Sequence, residues 1–132
     1  MQWNDNAFAG FSSVTPWIKI NEDYRIVNVE KQSGDPDSIW NAYHALIELR
    51  NNERALQYGN YTRLELNENK IWFSRQYERD EITVIINFGE ETEINIPVEA
   101  EMLMGSNPLQ PDHFIIYKTT GATRFAPMLR HA

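Results

Sequence analysis

The sequence predicts a mainly β protein: an antiparallel β-sandwich preceded by an irregular loop and one α-helix. Three observations carry this expectation. From about residue 55 to 119, short stretches rich in β-branched and aromatic residues recur between clusters of turn residues. Before them lies one stretch with helical period and a signalled start. The first 34 residues show neither period, although Trp3, Gly10, Pro16 and Trp17 crowd them, as in a long ordered loop that packs on something else.

Within that loop, only residues 18–20 and 25–29 suggest short extended pieces. The helix then opens with Asp35 as its expected N-cap, Pro36 at the first helical position and Asp37 in the first turn, where a carboxylate complements the dipole. Ile39, Tyr43, Leu46, Ile47 and Arg50 recur at helical spacing, and Trp40 and Leu49 widen the stripe beyond one face. Such a helix is expected to be sandwiched. The expected strands are residues 61–66, 71–77, 82–88, 91–96, 101–104 and 114–119, separated by turn residues such as Asn67, Asn69, Gly89, Pro97 and Gly105. Residues 82–88 are almost continuously apolar, which predicts a central strand covered on both faces.

The chain has 132 residues, 42% of them hydrophobic, enough for one compact core. Twelve basic against 19 acidic residues leave a formal net charge of −7, which argues against nucleic acid or an anionic membrane surface as partner. It is compatible with a neutral sugar. No long apolar run suggests a membrane span, and no basic-then-apolar leader is evident. The absence of cysteine rules out disulfides and thiolate metal sites.

Candidate chemistry is sparse. The acidic residues sit at a helix start, strand ends and turns, as with Asp35 and Asp37, Glu78 and Asp80, or Glu90 and Glu91, where caps and solvated faces explain them. His44, His113 and His131 lack the paired spacing of metal ligands. Neither a Gly-x-Ser-x-Gly elbow nor a glycine-rich phosphate loop occurs. We expect no catalytic residue, no metal ligand and no cofactor from these patterns.

Several uncommon residues at fixed offsets carry a resemblance. Met1-Gln2-Trp3-Asn4, Ala9-Gly10-Phe11, Pro16-Trp17-Ile18 and Val27-Asn28-Val29-Glu30 are similar, in order and spacing, to the loop after the eighth barrel strand in the α-glucosidase branch of the alpha-amylase family. That branch holds oligo-1,6-glucosidases, dextran glucosidases and trehalose-6-phosphate hydrolases. The likeness continues through Asp35-Pro36-Asp37-Ser38, Leu46-Ile47-Glu48-Leu49-Arg50 and Tyr58-Gly59-Asn60-Tyr61 to Asn87-Phe88.

The resemblance implies a loop following the last barrel strand (1–34), the last barrel helix (35–53), the C-terminal β-sandwich domain (54–120) and a tail (121–132). It implies a cytoplasmic retaining α-glucosidase acting on short α-glucosides, whose catalytic carboxylates lie on earlier strands. The chain itself is then a supporting, inactive C-terminal piece. Gln2, Trp3 and Asn4 would help shape the substrate rim, with Asn4 standing where the family more often has Asp. The implied partners are the missing catalytic barrel, an α-glucan oligosaccharide, and a second copy of the chain meeting it through the exposed helix. Alternatives are a carbohydrate-binding module with Trp72 and Tyr77 as a stacking platform, and a free-standing interaction domain.

Overall fold

The computed structural model describes residues 1–67 and 69–121. They fall into two compact units, Met1–Asn52 and the described residues from Glu53 onward. The expected tail from residue 122 onward, His131 included, lies outside the described residues.

The first unit holds a 3₁₀ turn at Ala7–Gly10 and two helices, α1 (Val29–Ser33) and α2 (Ile39–Asn52). Helix α1 has five residues, too short to persist on propensity alone. Its open N–H groups are satisfied from outside. The Val29 N–H donates to the Gln2 carbonyl and the Glu30 N–H to that of Trp3, each at 2.9 Å. The N-cap Asn28, itself buried, accepts the Lys31 N–H at 3.0 Å. The extended reading of 25–29 is therefore corrected: the N–H groups of Ile26 and Val27 turn back to the Asp23 carbonyl, and Val29 is helical.

Helix α2 starts later than Asp35 suggests. The Asp35 carboxylate accepts the Asp37 N–H at 3.0 Å, closing a turn one step too early to cap. Ser38 takes the cap, its hydroxyl accepting the Asn41 N–H at 3.2 Å and donating to the Gln32 carbonyl at 2.6 Å. The Asn41 amide then ties α2 to the carbonyls of Gln32 and Asp35 at 3.0 and 2.7 Å. Helix α2 buries none of its residues, and Ile39, Tyr43 and Ile47 form an exposed apolar row at i, i+4 and i+8.

The second unit is a five-stranded, wholly antiparallel sheet preceded by a short helix, α3 (Arg54–Tyr58). The strands are β1 (Asn60–Asn67), β2 (Lys70–Tyr77), β3 (Asp80–Asn87), β4 (Glu101–Met104) and β5 (His113–Thr120), in the order β1-β2-β3-β5-β4. The mainly β, antiparallel class that the sequence predicts is the class observed. Strand β3 is central as expected, with Ile82, Val84 and Ile85 buried although they point to alternate faces.

On one face, Ile85, Ile115 and Tyr117 form a core with Ile94 and Leu109, which come from the long connection at residues 88–112. That connection is the second layer, and it is barely a sheet. Residues 91–96 keep the predicted in–out alternation, yet their backbone pairing is one bridge, Thr92 to Leu109, with N···O distances of 3.1 and 2.9 Å. Two residues on, the Asn107 side-chain amide replaces a strand partner, accepting the Ile94 N–H at 3.0 Å and donating to its carbonyl at 2.9 Å.

On the other face, α3 is fixed at both ends. The Arg75 guanidinium donates to the Gly59 carbonyl at 3.1 and 2.7 Å and also to that of Leu56, satisfying acceptors at the helix C-terminus. At the N-terminus, Glu53 accepts from Lys118 of β5 at 3.0 Å. Gly59 is required where the chain turns from α3 into β1, because a Cβ there would lie 2.3 Å from the Ala55 carbonyl oxygen.

Candidate functional site

Two places merit description as sites: the loop carrying Gln2, Trp3 and Asn4, and a cleft on the core face of the sheet.

The loop turns on backbone that L-residues rarely adopt. Phe8, Ala9 and Gly10 have φ of 55°, 53° and 72°, a left-handed run that costs non-glycine residues about 1–2 kcal/mol each. Tertiary contacts hold it in place. Ala9 is buried, and its carbonyl accepts the Trp3 and Asn4 N–H groups at 2.9 and 3.4 Å. Backbone strain sustained in this way is often found at ligand-binding positions.

The three sequence-predicted residues are neighbours here, with different assignments. Gln2 is occupied, its amide donating to the Val27 carbonyl at 2.7 Å. Asn4 is half-buried against Gly10, and its carbonyl oxygen accepts the Asn6 N–H at 3.1 Å. Trp3 is half exposed, the side chain of the three that offers a surface to a ligand. The Asn4 contact uses an oxygen that Asp also has, so its departure from the more usual Asp leaves the turn intact. Asn4→Asp is expected to preserve the loop. Gly10→Ala is expected to destabilise it by about 1–2 kcal/mol from backbone strain, and by more because the new Cβ would stand 2.4 Å from Asn4 Oδ1. Amide hydrogen exchange at Trp3, Asn4 and Val29 checks this, and unchanged protection in Gly10→Ala would refute it.

The cleft, about 580 Å³, is lined by residues of β1, β2, β3 and β5 and by Asn95, Pro97 and Glu99. Its floor carries the buried hydroxyl pair of Ser74 and Thr83, 2.7 Å apart. Along one wall the Arg63 guanidinium lies 3.9 Å from the Trp72 ring centroid and grips Glu65 with two hydrogen bonds of 2.8 Å. That hydrogen bonding raises the Arg63 pKa further and lowers that of Glu65.

The aromatic platform imagined for Trp72 and Tyr77 is not formed. The unbroken β2–β3 register puts these residues, five apart, on opposite faces of the sheet. Arg63 occupies one face of Trp72, while Tyr77 packs against Tyr58 and Arg54. His44 stacks on Trp40, and His113 hydrogen-bonds the Pro111 carbonyl at 2.7 Å. Among the described residues no group of three acidic or histidine side chains could hold a metal ion, and no helix is long and apolar enough to cross a membrane.

Sequence reasoning missed the cleft. Its lining is spread over four strands, and what identifies it is register rather than any local motif.

Comparison with known proteins places this geometry. Residues 1–59 match the family model for the alpha amylase catalytic domain. The oligo-1,6-glucosidase of Parageobacillus thermoglucosidasius is 37% identical over 120 residues, covering 90% of this chain and 19% of that protein. The trehalose-6-phosphate hydrolase of Escherichia coli is 34% identical over 107 residues, covering 80% of this chain and 19% of that protein. Among solved structures, trehalose-6-phosphate hydrolase from Bacillus licheniformis superposes with a TM-score of 0.75 at 30% identity, over 90% of this chain and 25% of that one. Isomaltulose synthase from Erwinia rhapontici does so with 0.76 at 32% identity, over 89% and 24%. The chain thus spans about a fifth of the length of the curated relatives it matches. On the loop motif, the sheet and these likenesses together, the chain belongs to the alpha-amylase family.

Proposed function

We propose that this chain is the C-terminal region of an α-glucosidase acting on short α-glucosides in the cytoplasm, and that its role is to complete and support a catalytic barrel. One observation carries the reading: the catalytic-domain match ends at residue 59, whereas similarity to an oligo-1,6-glucosidase runs over 90% of the chain. Such a chain carries the last part of a catalytic domain followed by a sheet domain. The exposed Ile39, Tyr43 and Ile47 row of α2 supports it, being the face a last barrel helix would turn to its barrel. Trp3, held on the strained loop, then stands at the rim where barrel active sites open. The backbone carbonyls of Gln2 and Trp3 set its position through α1.

Retaining glycoside cleavage needs two carboxyl groups about 5 Å apart in a pocket sheltered from bulk water. In this reading both belong to earlier barrel strands. The isolated chain is therefore expected to release no nitrophenol from nitrophenyl α-glucoside and no glucose from isomaltose. Turnover above a buffer blank, abolished by substituting an acidic residue of this chain, would overturn the proposal. Extending the reading frame upstream of Met1 tests it from the other side, since the proposal requires barrel strands to be encoded there.

A further inference from the structure

The two edges of the sheet are unequal. At one end β4 has four residues and a register irregularity between Met102 and Met104, the short and bulged form that keeps an edge from recruiting another strand. At the other end β1 runs for eight residues, contains neither proline nor lysine and, among the described residues, pairs with β2 alone. Every residue of it except Arg63 is exposed. Its one irregularity falls between Tyr61 and Arg63. Residues 63–67 are thereby left regular, with a row of backbone N–H and C=O groups turned away from β2.

The side chains of that run select its partner. Residues opposite each other in a ladder share a face. Tyr61, Leu64 and Leu66 stand opposite Arg75, Phe73 and Ile71 and lie on the α3 face, whereas Arg63 and Glu65 stand opposite Ser74 and Trp72 and lie on the core face. Tyr61, Leu64 and Leu66 are 64%, 64% and 73% exposed, an apolar row beside an open edge.

A two-fold axis pairs an edge strand antiparallel with its own copy. Centred on Leu64, that axis sets Arg63 of each chain opposite Glu65 of the other and Leu64 opposite Leu64, with Tyr61 and Leu66 next along the same face. Centred on Arg63 or on Glu65, it sets like charges opposite each other. The strand is self-complementary in the first register and not in the other two. Within one chain Arg63 and Glu65 hold each other through two hydrogen bonds of 2.8 Å, so both groups already stand side by side on one face, as that register requires.

We propose that β1 is a homodimer interface, at which two copies of the chain join edge to edge into one continuous antiparallel sheet. The interface belongs to the sheet unit alone. It requires neither the barrel nor hydrolysis, so its failure and that of the proposed function are separable.

The test is sedimentation equilibrium of the full chain over a range of concentrations, with amide hydrogen exchange at both ends of that range. The wild type is expected to pass from monomer to dimer as concentration rises, and exchange across residues 63–67 to slow as it does. Arg63→Glu and Glu65→Arg each turn both cross-strand pairs into like-charge pairs, so each should weaken self-association about tenfold or more. An equimolar mixture of the two variants sets two carboxylates opposite two guanidinium groups and should recover the association of the wild type. The pair within one chain is absent from both variants, so recovery on mixing reads the contact between chains. A wild type that stays monomeric, or whose protection appears elsewhere than residues 63–67, would overturn the interface. So would association that either variant leaves unchanged, as a contact through the exposed row of α2 would give, or a mixture no more associated than its parts.

Discussion

Replacing Asn87 by alanine is expected to destabilise the sheet unit by about 3 kcal/mol, the loss of two or more buried hydrogen bonds with the orphaning of their partners. Asn87 ends β3, is 0% exposed, and is the joint between the sheet and its second layer. Its amide group donates to the carbonyls of Glu90, Leu109 and Gln110 at 2.8, 3.3 and 3.2 Å, while its oxygen accepts the Gly89 N–H at 3.1 Å. One side chain thus closes the turn out of β3 and seats the 109–110 segment beside it. Leu109 is buried in the core, so loosening the joint also loosens apolar packing. Asn87→Asp is the sharper variant, because it aims a carboxylate at three carbonyls. Burial and that field raise the folded-state carboxyl pKa above its unfolded value of about 3.9, so the variant should be least stable at neutral pH and recover as pH falls toward that value. Urea unfolding followed by circular dichroism measures both. A loss under about 1 kcal/mol for Asn87→Ala would mean that the second layer is held elsewhere.

The residues that betrayed themselves in sequence, and those that did not, separate along physical lines. Strands β2, β3 and β5 and most of α2 were legible because their signal is local: periodic apolar residues between turn residues. Helices α1 and α3, five residues each, were not, since what stabilises them comes from far along the chain. Carbonyls of Gln2 and Trp3 start α1, and the Arg75 guanidinium ends α3. Residues 91–96 read as a strand because Thr92, Ile94 and Ile96 alternate correctly. What pairs with Ile94 is a side-chain amide, and no periodicity announces that. At Asp35 the cap signal was sound chemistry placed one turn early, with Ser38 winning because its hydroxyl also reaches the Gln32 carbonyl. The loop of Gln2, Trp3 and Asn4 was found through its resemblance to a family. The cleft, assembled from alternate residues of four strands, could be found only once register was known.

Lys118→Met is expected to cost about 2–3 kcal/mol, because it strands a carboxylate that the fold has largely taken from water. Lys118 and Glu53 have side-chain exposures of 20% and 15% and meet at 3.0 Å, with Asp80 at 3.4 Å from the same ammonium. The hydrogen bond to Glu53 raises the Lys118 pKa above the ordinary lysine value, partly offset by burial. A raised lysine pKa contributes stability that is complete at neutral pH and is lost as pH rises through the folded-state value, so wild-type stability should fall on the alkaline side. The variant, which has no ammonium at this position, should not show that alkaline loss. Adding Glu53→Gln to Lys118→Met removes the stranded charge and should restore at least about 1 kcal/mol, a non-additivity expected of residues in direct contact. Since Glu53 opens α3 and Lys118 lies on β5, the single variant should also raise hydrogen exchange across Ala55 to Tyr58 while leaving the β2–β3 ladder protected. A double variant no more stable than Lys118→Met alone would show that methionine fails there by its shape, and that the ion pair is not what fastens α3 to the sheet.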